Sequence, residues 1–304
     1  MCGISVVGSA NIDMTATVRE FPKPGETLVG ETFETFFGGK GANQAVSASR
    51  LGGDVSFLGR VGDDGFGADI IGNFKSEGVD ISSLSRVSDC KTGVALIVVD
   101  RKGENKIVIV PGANHKVNEG YIAKNESVVS DADIAVAQLE IPMDAVEKVA
   151  DIAKRNHTKF ILDPAPAQEI PGDLLRDLFL ITPNQSEAES LTGIKPNGRE
   201  SAGNAAQVLH NRGVRNVIIT LGGEGAFLST QGTSLVVRAP SVRARDTTGA
   251  GDVFNGALAV ALCQESGWKT TIEFACEAAS KSVLGEGAQD SIPFISDIDT
   301  IKAV

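Results

Sequence analysis

The chain has no long hydrophobic run, few aromatic residues and no low-complexity tract. Of its 304 residues 42% are hydrophobic, but the densest apolar stretch, residues 256–263, is far shorter than the roughly 18 to 20 residues that a membrane helix needs. The start of the chain lacks the basic segment and cleavage pattern of a signal peptide. These absences exclude a disordered chain and predict a folded, cytoplasmic protein without a membrane span.

Positive charge is also scarce. The 28 Lys and Arg residues face 39 Asp and Glu residues, and the formal net charge is −11. An acidic surface repels phosphate backbones, so the composition argues against nucleic-acid binding. It does not exclude a small phosphate ligand, because backbone amides bind an anion without Lys or Arg.

Cysteine and histidine are rare and scattered. The four cysteines are Cys2, Cys90, Cys263 and Cys276, and no two of them form a C-x-x-C pair. A chain of this length can bury enough apolar surface to fold without disulfides, so we expect four reduced thiols. The three histidines are isolated, and no metal-ligand cluster is predicted.

Short apolar segments alternate with segments of helical periodicity. Strands are predicted at residues 4–7, 55–61, 134–139, 160–162, 179–182 and 217–221. Helices are predicted at 42–51, 66–77, 145–155, 204–212 and 253–263. Strand–helix alternation with continuously apolar strands predicts a doubly wound α/β fold, in which helices cover both faces of a mostly parallel sheet.

Two insertions interrupt this alternation, at about residues 15–37 and 92–111. Both combine strand-like residues with turn residues and contain no helix pattern. We expect them to form one small antiparallel sheet, which would serve as a lid, a dimer interface or both. Two unrelated surface hairpins are the alternative.

The segment 246–252, DTTGAGD, follows a further predicted strand and combines small residues with an acid at the start of an apolar helix. Gly249, Ala250 and Gly251 let a ligand approach their backbone amides, and a helix N-terminus favours an anion. Asp252 would then be a general base beside an anion site. The alternative is an ordinary turn with an acid favoured by the helix dipole.

Two further segments could bind a polyol. In GGKGAN, residues 38–43, a glycine turn leads into a helix and presents Lys40 and Asn43. Asn11 and Asp13 follow the first predicted strand, at the edge where open α/β sheets bind ligands, and their spacing suits vicinal hydroxyls. A tight glycine turn and an Asx turn are the respective alternatives.

Two other strand ends could bind a nucleotide. Asn184 and Glu187 have the spacing of a capping box, or of a face that holds hydrated Mg²⁺ near phosphates. The segment 220–225, TLGGEG, could approach a nucleotide or simply turn.

Together these motifs resemble the ribokinase branch of the phosphofructokinase-B-type carbohydrate kinases. The family's first signature fits residues 38–43, Ala45, Gly52 and Gly62, and its second fits residues 246–259. Between the two signatures, further short segments are similar in sequence to the family, at residues 93–96, 112–114, 138–140, 163–167 and 182–184. The resemblance covers essentially the whole chain, which implies a single kinase domain over residues 1–304 with the two insertions as its lid.

The resemblance also implies roles for individual residues. Asp252 would be the base, and the amides of Gly249, Ala250 and Gly251 would stabilise the transferring phosphoryl group. The implied sugar-binding residues are Asn11, Asp13, Gly39, Lys40, Asn43, Glu140 and Asp252. The implied ATP-binding residues are Asn184, Thr220, Gly222, Gly223, Gly225, Gly251 and Cys276, the last at a position where some members have a histidine beside the adenine. Glu187 would arrange Mg²⁺ through water, and a monovalent cation, typically K⁺, would lie near Asp246, Thr248, Ser282, Gly285, Gly287 and Ser291.

The implied activity is phosphorylation of D-ribose at its 5-hydroxyl by ATP, by a homodimer paired through the lid. A kinase for 2-deoxyribose, another small sugar or a nucleoside is the alternative within the class. A non-enzymatic sugar sensor is the alternative outside it, although the base beside an anion site argues against a sensor. A nicotinamide-dependent oxidoreductase is set aside because no G-x-G-x-x-G follows the first strand.

Overall fold

All five predicted helices and most of the predicted strands are present in the computed structural model, which describes residues 2–299. The strands are β1 (Gly3–Val7), β2 (Asn11–Val18), β3 (Thr32–Gly38), β4 (Asp54–Leu58), β5 (Arg60–Gly62), β6 (Ser85–Val87), β7 (Gly93–Asp100), β8 (Asn105–Val110), β9 (Ile134–Ala137), β10 (Lys159–Leu162), β11 (Leu180–Ile181), β12 (Val217–Thr220), β13 (Ala226–Thr230) and β14 (Thr233–Val237). The helices are α1 (Lys40–Arg50), α2 (Gly65–Ser76), α3 (Glu119–Lys124), α4 (Glu126–Ser130), α5 (Met143–Asn156), α6 (Gly172–Asp177), α7 (Gln185–Thr192), α8 (Arg199–Asn211), α9 (Ala250–Cys263) and α10 (Trp268–Ser282).

Eight strands form the main sheet, in the order β14-β13-β12-β11-β10-β9-β1-β4. Every pairing from β4 through β12 is parallel, and only β13 and β14 run antiparallel to their neighbours. The predicted doubly wound, mostly parallel sheet is therefore confirmed.

Helices cover both faces of this sheet because successive side chains of a strand point to opposite faces. Ile4 and Val6 of β1 pack into the core beneath α1, α9 and α10. Val7 of the same strand packs into the other core, with α3, α5 and α8. Burial on both faces explains why the strands are continuously apolar in the sequence.

The two insertions come together as a separate four-stranded sheet, here called the small sheet, in the order β3-β2-β7-β8. The expectation of an antiparallel sheet is wrong at its centre, since β2 pairs with β7 in parallel and Asn11 lies opposite Gly93. The sheet also begins earlier than predicted. Because β2 starts at Asn11, four residues beyond the end of β1, the small sheet emerges from the carboxyl end of the parallel strands.

Two other expectations about strands are wrong. The segment 55–61 divides at Gly59, and its second part, β5, pairs with β6 in a separate two-stranded sheet. The chain before Asp246 is irregular, because β14 already ends at Val237.

The expectation of four reduced thiols is wrong for two of them. Cys2 and Cys263 form a disulfide with a Cα–Cα distance of 5.7 Å, whereas Cys90 and Cys276 are free. The prediction failed because a sufficient core makes disulfides unnecessary without preventing them, and the fold brings together two cysteines 261 residues apart. Within residues 2–299, no helix is long and apolar enough to cross a membrane.

Candidate active site

Asp252 is buried in the first turn of α9. Gly249 is the N-cap of this helix and has φ 75°, a left-handed conformation that favours glycine. The first amides of a helix have no carbonyl partner within the helix, so they and the helix dipole can attract an anion. Of these amides, that of Ala250 makes a long hydrogen bond of 3.3 Å to the Thr247 carbonyl. The structure thus places the Asp252 carboxylate in the first turn, directly after Gly249–Gly251.

Two amide side chains of α1 hold the carboxylate of Asp252. Asn43 Nδ2 donates to Oδ2 over 2.8 Å, and Gln44 Nε2 donates to Oδ1 over 3.1 Å. The helices can approach this closely because position 256 of α9 is a glycine. A Cβ at Gly256 would lie 2.6 Å from the side chain of Ser47.

Gln44 also connects Asp252 to a second buried acid. Its Nε2 atom donates to Asp163 Oδ2 over 2.8 Å, while Gln138 Nε2 donates to Gln44 Oε1 over 2.6 Å. Burial raises the pKa of Asp163 well above its usual value. Our sequence analysis did not select Gln44 or Asp163 as site residues, although Asp163 directly follows β10 and so carried the same strand-end signal as Asn11.

The residues predicted to hold a sugar lie around the start of α1. The side chain of Glu140, after β9, accepts hydrogen bonds from Ser9 Oγ at 2.5 Å and from the Lys40 amide at 3.0 Å. Asn11 accepts a hydrogen bond from Asn114 Nδ2 over 2.7 Å.

Charges of opposite sign meet at this point. Burial, with the carboxylates of Glu140 and Asp252 nearby, raises the pKa of Asp13 to about 7. The negative charge of Asp252, with Asp163 and Glu140, raises the pKa of Lys40 and outweighs the opposing effect of burial. Lys40 is therefore held in its charged form by the surrounding acids, and the raised pKa of Asp13 brings its titration near neutral pH.

A cavity of about 200 Å³ connects the two helix starts. Its lining combines Lys40 and the first turn of α9 with strand-end residues, and consists of Lys40, Asp163, Ala165, Thr182, Asn184, Glu187, Thr220, Thr247, Gly249, Ala250, Gly251, Asp252 and Asn255.

A larger cavity of about 460 Å³ adjoins it and shares five lining residues with it, namely Asn184, Thr220, Thr247, Ala250 and Gly251. All seven residues predicted to bind ATP line this larger cavity: Asn184, Thr220, Gly222, Gly223, Gly225, Gly251 and Cys276. Much of the remaining lining is apolar, as in Val242, Phe254 and Val283. Burial raises the pKa of Cys276 to about 12, so this thiol is neutral and can offer a weakly polar contact.

Asn184 and Glu187 form the capping box of α7. The Glu187 amide donates to Asn184 Oδ1 over 2.9 Å, and the Asn184 amide donates to Glu187 Oε2 over 2.8 Å. Both side chains also line the smaller cavity. The capping interpretation of this pair is therefore confirmed, and it leaves the carboxylate facing the space beside α9.

Two loops meet beyond the N-terminus of α9. They contain five of the six residues predicted to surround a monovalent cation, and the sixth, Ser282, is the last residue of α10. Asp246 accepts hydrogen bonds from the Thr248 amide at 2.9 Å and the Gly287 amide at 3.0 Å, and Ser291 Oγ donates to the Gly287 carbonyl over 2.7 Å. Gly285 packs against Ser291 and is hydrogen-bonded to the Ser282 carbonyl. Burial opposes the charge of Asp246, but these hydrogen bonds outweigh it and lower its pKa.

No cluster of three or more His, Cys, Asp or Glu side chains in residues 2–299 is arranged to hold a metal ion. Any cation at these loops would instead take carbonyl and hydroxyl oxygens, together with the single carboxylate of Asp246.

Comparison with known proteins agrees with this geometry. The pfkB family of carbohydrate kinases matches residues 1–295. A ribokinase from Haemophilus influenzae is 43% identical over 290 residues, which is 95% of each chain, and one from Staphylococcus aureus is 37% identical over 98% of this chain and 99% of its own. The structure of Arabidopsis thaliana ribokinase complexed with ribose and ATP is similar with a TM-score of 0.94 and 34% identity, covering 99% of this chain and 98% of that one. A buried carboxylate in the first turn of a helix, two adjoining cavities and relatives matched over nearly their whole length lead to one assignment: the chain belongs to the pfkB family of carbohydrate kinases.

Proposed function

We propose that the chain transfers the γ-phosphoryl group of ATP to the 5-hydroxyl of D-ribose, giving ribose 5-phosphate and ADP. The observation that carries this proposal is the position of Asp252, between the first amides of α9 and the sugar-type residues at the start of α1. The full-length similarity to ribokinases, including one whose structure holds ribose and ATP, supports ribose as the substrate.

The sugar binds among the polar residues around the start of α1. Asn11, Asp13, Gly39, Lys40, Asn43 and Glu140 bind its hydroxyls, and Asp252 receives its 5-hydroxyl. Carboxylate and amide oxygens of this kind suit a ligand with vicinal hydroxyls. ATP binds in the larger cavity, and its phosphates extend past the residues that line both cavities to reach Gly249–Gly251.

Phosphoryl transfer needs positioning and charge stabilisation more than covalent catalysis. Asp252 accepts the proton of the 5-hydroxyl as the oxygen attacks the γ-phosphorus. The bond from that phosphorus to the bridging oxygen breaks, and its electron pair leaves on ADP. The amides of Gly249, Ala250 and Gly251 stabilise the charge on the transferring group, because they are aimed at it before the reaction begins.

The residues present fit a hydrated Mg²⁺ and a monovalent cation. Both Glu187 oxygens accept hydrogen bonds from Asn184, which suits a contact through water rather than direct ligation. Mg²⁺ would neutralise phosphate charge. The oxygen-only donor set of Asp246, Thr248, Ser282, Gly285, Gly287 and Ser291 suits K⁺, which would add positive charge near the start of α9.

The small sheet would close over the sugar as a lid and pair two copies of the chain. Six of its large apolar side chains are exposed, among them Phe33, Ile107 and Val108, and exposure on this scale marks an interaction surface. The kinase domain would then be one unit with the lid inserted. We place the enzyme in the cytoplasm, where ATP is available.

A coupled ADP-release assay with Mg-ATP and K⁺ tests the proposed function, using ribose, 2-deoxyribose, fructose, adenosine and no sugar in parallel. Strong turnover with ribose alone is expected. Turnover with another substrate instead would keep the mechanism and overturn ribose. Measurable sugar binding without turnover would favour the sensor.

A further inference from the structure

Three amide side chains, hydrogen-bonded in series, lead from α2 to Asp252. Asn73 Nδ2 on α2 donates to Gln289 Oε1 over 2.8 Å. Gln289 Nε2 donates to Asn43 Oδ1 over 3.1 Å. Asn43 Nδ2 then donates to Asp252 Oδ2 over 2.8 Å. Gln289 is only 3% exposed, so its amide has little access to water as an alternative partner.

The series has one direction, because every amide donates toward the acid. A carboxylate accepts hydrogen bonds and cannot donate them, so Asn43 must present its NH₂ group to Asp252. Rotating this amide by half a turn would set its oxygen against the carboxylate. Gln289 prevents the rotation by donating to the Asn43 oxygen. Its own orientation is fixed in turn by the Asn73 donor.

The backbone of Gln289 is held as firmly as its side chain. Arg50 donates through one nitrogen to the carbonyls of Gln289 and Ile292, at 2.8 and 2.9 Å. The same guanidinium pairs with Glu77 at 2.7 Å, and both side chains are largely buried. A loop clamped to α1 in this way can set the position of an α1 side chain.

We propose that Gln289 is a positioning residue for phosphoryl transfer: it locks the Asn43 amide in the orientation that holds the Asp252 carboxylate toward the 5-hydroxyl. This inference rests on the proposed function, in which Asp252 is the base. We call the series of hydrogen bonds from Asn73 to Asp252 the relay. Because Gln289 lies between Gly287 and Ser291, the relay also connects the loop that contains these two residues to the Asp252 carboxylate.

Two substitutions separate orientation from packing. Gln289→Met keeps the length of the side chain and removes both hydrogen bonds. Gln289→Glu keeps the shape and the acceptor for Asn73 but cannot donate to Asn43. The Asn43 amide then lies between two carboxylates, and nothing holds its NH₂ group toward Asp252. We expect kcat to fall about tenfold or more in both variants while the KM for ATP stays within about twofold. A residue needed only for packing would tolerate the Met variant, which keeps the length of the side chain, and kcat would then be unchanged.

The decisive measurement is a double-mutant cycle with Asn43→Ala. If Gln289 acts through Asn43, Gln289→Met lowers kcat by less than about twofold in the Asn43→Ala background. An equal loss in both backgrounds, or an unchanged kcat in the single variant, would overturn the proposal. Asn216→Leu is the matched control. It removes an amide hydrogen bond to the Phe179 carbonyl and should leave kcat unchanged. Both residues lie where β11 and β12 begin, at the other end of the strands from the site.

Two further measurements cover failure of the main variant. If Gln289→Met does not fold, Asn73→Leu removes only the outermost donor, and a kcat loss of about twofold to fivefold is expected. If the wild-type protein shows no sugar-dependent ADP release, the proposed function fails. A neutron crystal structure of Gln289→Glu, which shows the amide deuterons, then tests the relay alone, and an Asn43 Nδ2 atom still donating to Asp252 Oδ2 over 2.8 Å would overturn it.

Discussion

Asn43 and Asp252 lie 209 residues apart in the chain and share a hydrogen bond of 2.8 Å. This contact joins the two glycine-rich helix starts that the sequence presented separately, and it makes them one site. Gln44 adds a second donor from the same helix, so both oxygens of Asp252 face an amide NH₂ group.

Asp252→Asn should abolish most turnover while the protein still binds sugar and ATP. The new amide cannot accept a proton, and its own NH₂ group must face one of the two donors from α1. We expect kcat to fall by about 10² to 10⁴. Calorimetric binding of each substrate beside the ADP assay checks this, with surface Asp151→Asn as the control. Near-normal kcat would refute the role of Asp252 as base.

Sugar binding should weaken as the pH falls below neutrality. Burial and the neighbouring acids raise the pKa of Asp13 to about 7, so below that pH the carboxyl is protonated and loses its capacity to accept hydroxyl hydrogen bonds. The KM for sugar should therefore rise by up to about tenfold per pH unit below 7. Asp13→Asn should have a higher KM that hardly changes with pH.

The same shift has the opposite effect on folding. The folded protein binds the Asp13 proton more tightly than the unfolded chain does, so this group lowers the free energy of unfolding as the pH rises from about 4 to 7. Measuring the KM for sugar and thermal unfolding over the same pH range separates the effect on binding from the effect on folding. A KM that does not change with pH in the wild-type protein would contradict the assignment of Asp13 to the sugar.

Gly251→Ala should impair catalysis without destabilising the fold. Among the described residues, a Cβ at Gly251 meets nothing within 4 Å, and the same is true of Gly72 in α2. Each alanine should stabilise its helix by about 0.5 to 1 kcal/mol. Only the methyl group at position 251 would stand in the path of the phosphates. We expect a raised KM for ATP in Gly251→Ala and normal kinetics in Gly72→Ala, and equal kinetics would count against the anion site.

Adding K⁺ to a buffer that contains only Na⁺ should raise activity, by about fivefold or more. Asp246 keeps its charge because its pKa is lowered by hydrogen bonds, so it remains available to a cation over the whole neutral range. Asp246→Ala should lose the response to K⁺ and also any K⁺-dependent rise in Tm. A wild-type enzyme indifferent to the cation would exclude the site.

Val108→Lys should shift the protein toward a monomer. Val108 lies on β8, the edge strand of the small sheet, and is 60% exposed. A lysine on an edge strand discourages pairing with another copy. Val236→Lys, on the edge strand of the main sheet and 39% exposed, is the matched control. Sedimentation of the three proteins decides the question, and an unchanged mass for Val108→Lys would place the interface elsewhere.

The fold class and the residue types of the candidate site could be predicted from the sequence, because both depend on residues that are neighbours in the chain. The periodicity of the strands is visible over a few positions, and so is a run of glycines before Asp252. The remainder depends on contacts that no local pattern records. Gln289 and Asn43 are 246 residues apart, and nothing in the sequence around either one indicates that their amides meet.

The same limit explains the errors in the sequence analysis. The residues before Asp246 have strand composition, but no strand in the part of the chain that the structure describes pairs with them, so they are irregular. The segment 55–61 has uniform strand character, and only the surrounding fold decides that its second part joins β6.

The bond between Cys2 and Cys263 makes the covalent chain a near-complete ring. One sulfur lies just before the first strand and the other at the last residue of α9, so the loop closed between them includes the small sheet, the whole lining of the smaller cavity and Asp252. Cutting the backbone once at the exposed tip between β7 and β8 would therefore leave a single molecule whose small sheet is shared by two fragments. These fragments would remain joined through the last residue of the helix that carries Asp252.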